Sequence, residues 1–284
     1  MIEIASPAVD HCFKMVFDGP EGDEVLLCFL NAMFHPDVSR EDDLKNIRGG
    51  EVKFREVCRK KEYLEKSCGD VCCEAKEYSL TRTRNGENET KSFAFDLEIQ
   101  LCYSRSYHQR ANFHAAELFA DSVEPSMDPL AAIPTTVITF VLNPRSSPMD
   151  RLMYMTKPQL CVSARDDSDL SRLLRDEDVT LVEDDVQSTQ CIFFNLDRVE
   201  RSFFSGTRFQ QFLAFFAIER FCRRKSVDKN SKDRFVFLFN EDEFRFTDPI
   251  VLQLLEKMRL IVRDDIDIFA SEAAEEVQVP ESRS

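Results

Sequence analysis

Residues 93–101, Phe-Ala-Phe-Asp-Leu-Glu-Ile-Gln-Leu (FAFDLEIQL), alternate apolar and polar side chains without a break. Successive side chains of a β-strand point to opposite faces. Phe93, Phe95, Leu97, Ile99 and Leu101 therefore share one face, and Ala94, Asp96, Glu98 and Gln100 the other. The alternation predicts a strand whose apolar face lies on a core. Its polar face carries two carboxylates and an amide at alternate positions. From pattern alone this is a solvated outer surface. The competing reading is a cation site, because hard cations take carboxylate oxygens held on one surface.

Working outward, the strand becomes one arm of a β-hairpin between Gly69 and Cys102. DVCCEAKEYSLTRT, starting at Asp70, is the first arm, and RNGENE (84–89) supplies an Asn-Gly turn. A helix is expected over 104–123, with Tyr107, Phe113, Leu118 and Phe119 among its apolar positions. TTVITFVLN (135–143) is apolar and β-branched throughout, as a central strand would be. Further strands are expected at 158–164 and 188–195. Upstream, SPAVDHCFKMVF (6–17) offers Ser6 as N-cap and Pro7 as first helical residue, with a stripe of Phe13, Val16 and Phe17. DEVLLCFLNAMF (23–34) follows as a second helix, and 52–66 is compatible with either strand or helix. Long amphipathic helices are expected at 207–224 and 248–264. The order of elements suggests an α/β core with a helical extension.

A chain of 284 residues suffices for one large domain or two small ones. A proportion of 43% hydrophobic and 31% charged residues suits a globular protein that builds its core without staples. The net charge of −15 counts against nucleic-acid binding, since phosphate contacts normally come from a basic surface. Part of that charge lies in ASEAAEEVQVPESRS (270–284), which is expected to be a disordered tail. No basic segment followed by an apolar run opens the sequence, and no window approaches 18 apolar residues. The expectation is an intracellular protein, cytoplasmic or nuclear, neither secreted nor partnered with a membrane. Of ten cysteines, Cys28, Cys102, Cys191 and Cys222 sit in apolar runs and read as small core residues of a reduced protein. Cys68, Cys72 and Cys73 are the one zinc candidate; without a second Cys/His pair at finger spacing, the plain reading is favoured.

Asp70 opens one hairpin arm and Glu98 lies within the other, and antiparallel arms bring such residues to about 5 Å. Two carboxylates so placed can chelate a divalent cation, which activates water and stabilises charge on a phosphate. Other short motifs occur in a fixed order. Asp10, Phe13, Lys14 and Phe17 are followed by LLCFLNAMF, Asp70-Val71, Glu98-Ile99-Gln100, a helix with Arg110 and Phe113, VITFVLN, and finally CIFFNLDRVERS. In this order, over roughly residues 6–225, the chain resembles the PD-(D/E)XK nuclease family transposases, the group that includes the recombination-promoting nucleases.

The resemblance implies an α/β fold with a restriction-endonuclease-like core, a mixed central sheet with a β-hairpin flanked by helices. That core would occupy 6–200, with a helical C-terminal region over 201–268 packed on it and an acidic tail over 269–284. It implies a Mg²⁺-dependent DNA endonuclease, with Mn²⁺ as the alternative ion, acting in a mobile-element or recombination context. Asp70 and Glu98 would be metal ligands, the Ile99 carbonyl would complete the site, and Asp10 would contact the metal's water. Gln100 stands where the motif has lysine; an amide orients water but brings no charge. Lys76 and Arg110, with Arg105, are the candidates to supply that charge and touch DNA. Partners would be DNA and, as one assembly, a second copy in a homodimer, with no small-molecule cofactor. Asp96 matches no family position and reads as a bystander or outer-shell acid, and His108 and His114 read as helix-surface residues. The alternative is a catalytically inactive descendant acting as a protein-interaction module, which the charge of −15 and the missing lysine favour. A zinc protein is the third reading.

Overall fold

The computed structural model describes residues 1–17, 21–34, 53–59, 71–82, 88–100, 107–123, 133–142, 151–156, 160–161, 181–182, 189–226 and 235–263. In chain order these form β1 (Ile2–Ala5), α1 (Asp10–Val16), α2 (Gly22–Phe34), β2 (Lys53–Arg59), β3 (Val71–Arg82) and β4 (Asn88–Gln100). Next come α3 (Tyr107–Asp121), β5 (Thr135–Val141), β6 (Met153–Thr156), β7 (Leu160–Cys161), β8 (Leu181–Val182) and β9 (Thr189–Asn195). The last third holds α4 (Arg208–Phe216), β10 (Arg223–Arg224), β11 (Val236–Phe239) and α5 (Pro249–Arg263), with short 3₁₀ turns between.

The fold is mixed α/β, built on a six-stranded sheet of order β2-β3-β4-β5-β9-β6. β2, β3 and β4 run antiparallel, whereas β4, β5 and β9 are parallel and β6 closes the far edge antiparallel. Residues 93–100 therefore change the sheet's character: β4 pairs antiparallel with β3 on one side and parallel with β5 on the other. β5, hydrogen-bonded on both sides, is buried along its whole length, which its unbroken apolar run anticipates. The segment 52–66, ambiguous by pattern, contributes a strand, and Asn31 of α2 fixes it. The Asn31 side chain donates to the Phe54 carbonyl at 3.0 Å and accepts from the Phe54 amide at 2.9 Å.

One face of the sheet carries the main core. Phe95, Leu97 and Ile99 of β4, Ile138 and Phe140 of β5, and Ile192 and Phe194 of β9 pack there against α1, α2, α4 and α5. Phe13, Phe29 and Phe216 converge on Phe140, with ring centroids 4.7–6.0 Å away. Such pairs add to the area they bury. The opposite face carries α3, whose Ala111 and Ala115 pack on Val137, Cys191 and Phe193.

Several expectations need correction. Ser6 does not cap α1, whose first helical residue is Asp10; its hydroxyl instead donates to Glu219 at 2.8 Å, and β1 has drawn the chain into a sheet. The C-terminal third is not purely helical, because β1, β11 and β10 form a three-stranded antiparallel sheet. The helix expected over 207–224 stops at Phe216. Arg223 and Arg224 pair with β11, and Arg220 donates to the carbonyls of Leu196 and Val199 at 2.6 and 3.0 Å. Here tertiary hydrogen bonding overrides helical periodicity. The 248–264 helix agrees closely with α5, which Asp248 caps by accepting from the amides of Ile250 and Val251. Of the strands expected at 158–164 and 188–195, β7 is a short fragment and β9 is a full strand, while β6 has no counterpart in the sequence reading. No helix among the described residues is long and apolar enough to cross a membrane. The tail 269–284 lies outside the described residues.

A candidate metal centre beneath helix α3

The polar face of β4 is not solvated. In the sheet register Asp96 lies beside Val137 and Glu98 beside Thr139, and α3 covers this face. Asp96 and Glu98 are each only 1% exposed, and the residue that meets them is His114 of α3, 3% exposed. Its Nδ1 lies 2.6 Å from Glu98 Oε1 and 3.5 Å from Asp96 Oδ2. One ligand atom from each of the three residues falls within 4.8 Å of the other two. On the neighbouring strand Cys72, the register partner of Asp96, donates its thiol to Asp96 Oδ1 at 3.5 Å.

Burying two carboxylates costs free energy unless they are paired. The titration behaviour follows from that confinement. Burial pushes Asp96 above the usual carboxylate range, with the Glu98 charge adding to the effect and His114 opposing it. The adjacent carboxylates of Asp96 and Glu98 push His114 up to about 10. At neutral pH the imidazole is therefore a cation seated between two acids. Asp96, Glu98 and His114 could hold a metal ion in its place, through two oxygens and one nitrogen.

The residues expected to form the site are distributed as follows. Glu98 is in the group, and Gln100 ends β4 on the same face, half-buried. Ile99 points to the other face and is buried in the main core. Asp10 opens α1; it pairs with Lys14 at 3.0 Å, and its Oδ1 is buried with no hydrogen-bond partner among the described residues. Lys76 shares the face of Asp96, yet its register partner is Ser92, six residues before Glu98 and so roughly 20 Å along the strand. There it is exposed and ion-paired with Glu56 at 3.1 Å. Arg110 is exposed on α3, one turn before His114. Asp70, Arg105 and Cys68 lie outside the described residues. Cys72 and Cys73 point to opposite faces, Cys73 into the main core, so adjacent thiols of one strand do not meet one ion.

Two placements are overturned. Asp96 is buried beneath α3 and not on an outer face, and His114 is no surface residue. His108 is half-buried as well, its ring edge-on to Phe193 at 4.5 Å. The signal for His114 was present in the sequence. Ala111, His114, Ala115 and Leu118 recur at helical spacing and form the buried stripe, whereas Phe113 is 60% exposed. Phe113 marks the exposed side of α3, and the small residues with Leu118 mark the side that lies close to the sheet. No family model, no curated protein and no solved structure matches this chain.

Proposed function

We propose that the chain is a divalent-metal-dependent phosphodiester hydrolase acting on DNA, of the PD-(D/E)XK transposase type, with Glu98 at its metal centre. The observation that carries this reading is the buried meeting of Glu98 with Asp96 and His114, three potential ligands in the middle of the sheet. The order helix, three antiparallel strands, helix and parallel strand supports reading the sheet as a restriction-endonuclease-like core. A bound divalent ion supplies water activation and charge stabilisation at the scissile phosphate. Glu98 and Asp96 hold that ion with carboxylate oxygens. Gln100, on the same face beyond Glu98, orients water through its amide. Arg110, exposed on the covering helix, offers a guanidinium to phosphate. The oxygen pair fits Mg²⁺; the imidazole nitrogen is a donor Mg²⁺ does not favour.

The test is cleavage of supercoiled and linear DNA by the full chain with Mg²⁺ or Mn²⁺. Nicking that vanishes with chelator, with Glu98→Ala and with Asp70→Ala is expected. No cleavage of any DNA form with either ion would overturn the reading. The second reading, an inactive descendant serving as a protein-interaction module, is favoured by the burial of all three groups and by the net charge of −15. That reading expects a folded chain indifferent to DNA.

A further inference from the structure

We infer that Asp96, Glu98 and His114 form a mixed oxygen–nitrogen centre that takes a first-row transition ion such as Mn²⁺ or Zn²⁺ in preference to Mg²⁺, with the Thr139 hydroxyl as a further oxygen donor. The inference rests on Glu98 being a metal ligand and is independent of DNA hydrolysis.

Donor chemistry favours this assignment, since two carboxylate oxygens and one imidazole nitrogen lie within 4.8 Å of one another. Mg²⁺ prefers oxygen ligands and keeps its waters, whereas imidazole nitrogen suits Zn²⁺, Fe²⁺ and Ni²⁺; Mn²⁺, at home with the two carboxylates, has less rigid demands than Mg²⁺ and admits a nitrogen beside them. The Cys72 thiol, 3.5 Å from Asp96 Oδ1, makes the surroundings softer still.

The Thr139 hydroxyl points to a ligand independently of the acids. Thr139 is 0% exposed, and its Oγ1 has no hydrogen-bond partner among the described residues. Buried hydroxyls are nearly always satisfied. In the parallel register Thr139 lies directly beside Glu98, and in-register neighbours project to the same face. Its hydroxyl therefore faces the space between β4, β5 and α3 where the carboxylates and the imidazole meet.

The experiment uses the full chain stripped of metal and then loaded with Mn²⁺, with Mg²⁺ as competitor. Free Mn²⁺ is read by electron paramagnetic resonance, and its ligands by pulsed detection of nitrogen-14 coupling. Expected are one tightly held Mn²⁺, an imidazole nitrogen signal and an affinity for Mn²⁺ at least about tenfold above that for Mg²⁺. His114→Gln should abolish the nitrogen signal and weaken Mn²⁺ by about tenfold or more, and Thr139→Val should weaken it by a smaller factor. Should His114→Gln not fold, His11→Gln, His35→Gln and His108→Gln must each retain the signal. Mn²⁺ bound without nitrogen coupling, equal affinity for Mg²⁺, or no bound Mn²⁺ would overturn the inference. Nitrogen-coupled Mn²⁺ in a chain that cuts no DNA removes the nuclease reading and leaves this one standing. Mg²⁺-dependent cleavage without nitrogen coupling does the reverse.

Discussion

Replacing His114 with alanine removes the imidazolium between Asp96 and Glu98, and the structure sets the size of the effect. At an effective dielectric near 20, attraction across 2.6 Å and 3.5 Å amounts to about 6 and about 5 kcal/mol before solvation is counted. Desolvation of the buried ions offsets most of this, and breaking such a pair from one side has a net effect of about 3–5 kcal/mol. For a protein of this size each kcal/mol moves the melting temperature by about 2–4 °C, so His114→Ala should lower it by roughly 6–20 °C at neutral pH in chelator. The assay is urea unfolding followed by circular dichroism, with thermal melting as a second measurement. At pH 5 the gap to wild type should narrow, because protonation of Asp96, which burial already pushes up, relieves part of the charge that His114 balances. A loss below about 1 kcal/mol at pH 7, or a gap that widens in acid, would refute the reasoning about a buried pair.

Three further outcomes follow from the same geometry. His114 is pushed up to about 10 from 6.5, so the folded chain binds more protons than the unfolded one across that interval. Its contribution is complete below pH 6.5 and is lost as pH rises through about 10, and the raised Asp96 acts with the same sign. Metal-free protein should therefore lose stability on going from neutral to alkaline pH; urea midpoints that stay flat over that range would contradict it. Thr139→Val removes a buried hydroxyl with no partner among the described residues, and should leave metal-free stability unchanged or raise it by up to about 1 kcal/mol. A clear loss on chemical denaturation would show that the hydroxyl is bonded within the protein. Gln211, fully buried, accepts from the amides of Thr247 and Asp248 at 2.8 and 2.9 Å and donates to the Gly206 carbonyl at 2.9 Å. Gln211→Leu strands those groups between α4 and α5 and should cost about 3 kcal/mol, measured the same way.

Most of the α/β order was legible because alternation in FAFDLEIQL and the unbroken run TTVITFV each have one reading as strands. Gln100 and Glu98 also share the face that alternation gives them. Partners distant in sequence were not legible. MIEIA becomes a strand only because Val236–Phe239 lies beside it, and Arg223–Arg224 leaves a helical pattern to join the same sheet. The site was half legible for a similar reason. Local spacing separates Asp96 and Glu98 from the apolar face, yet whether that face meets water depends on α3. His114 looked like a surface residue because two of its neighbours on the buried stripe, Ala111 and Ala115, are too small to stand out as an apolar face. Lys76 shows the opposite limit: alternation assigns its face correctly, but says nothing of the six residues separating it from Glu98 along the ladder.

The most direct test of the account is the anomalous scattering of a crystal of the full chain soaked in Mn²⁺. The account predicts a single strong peak beneath α3, at coordination distance of about 2.2 Å from Glu98 Oε1, an Asp96 oxygen and His114 Nδ1. An empty pocket with His114 still paired to both acids, or a peak bound elsewhere without Glu98, would contradict it.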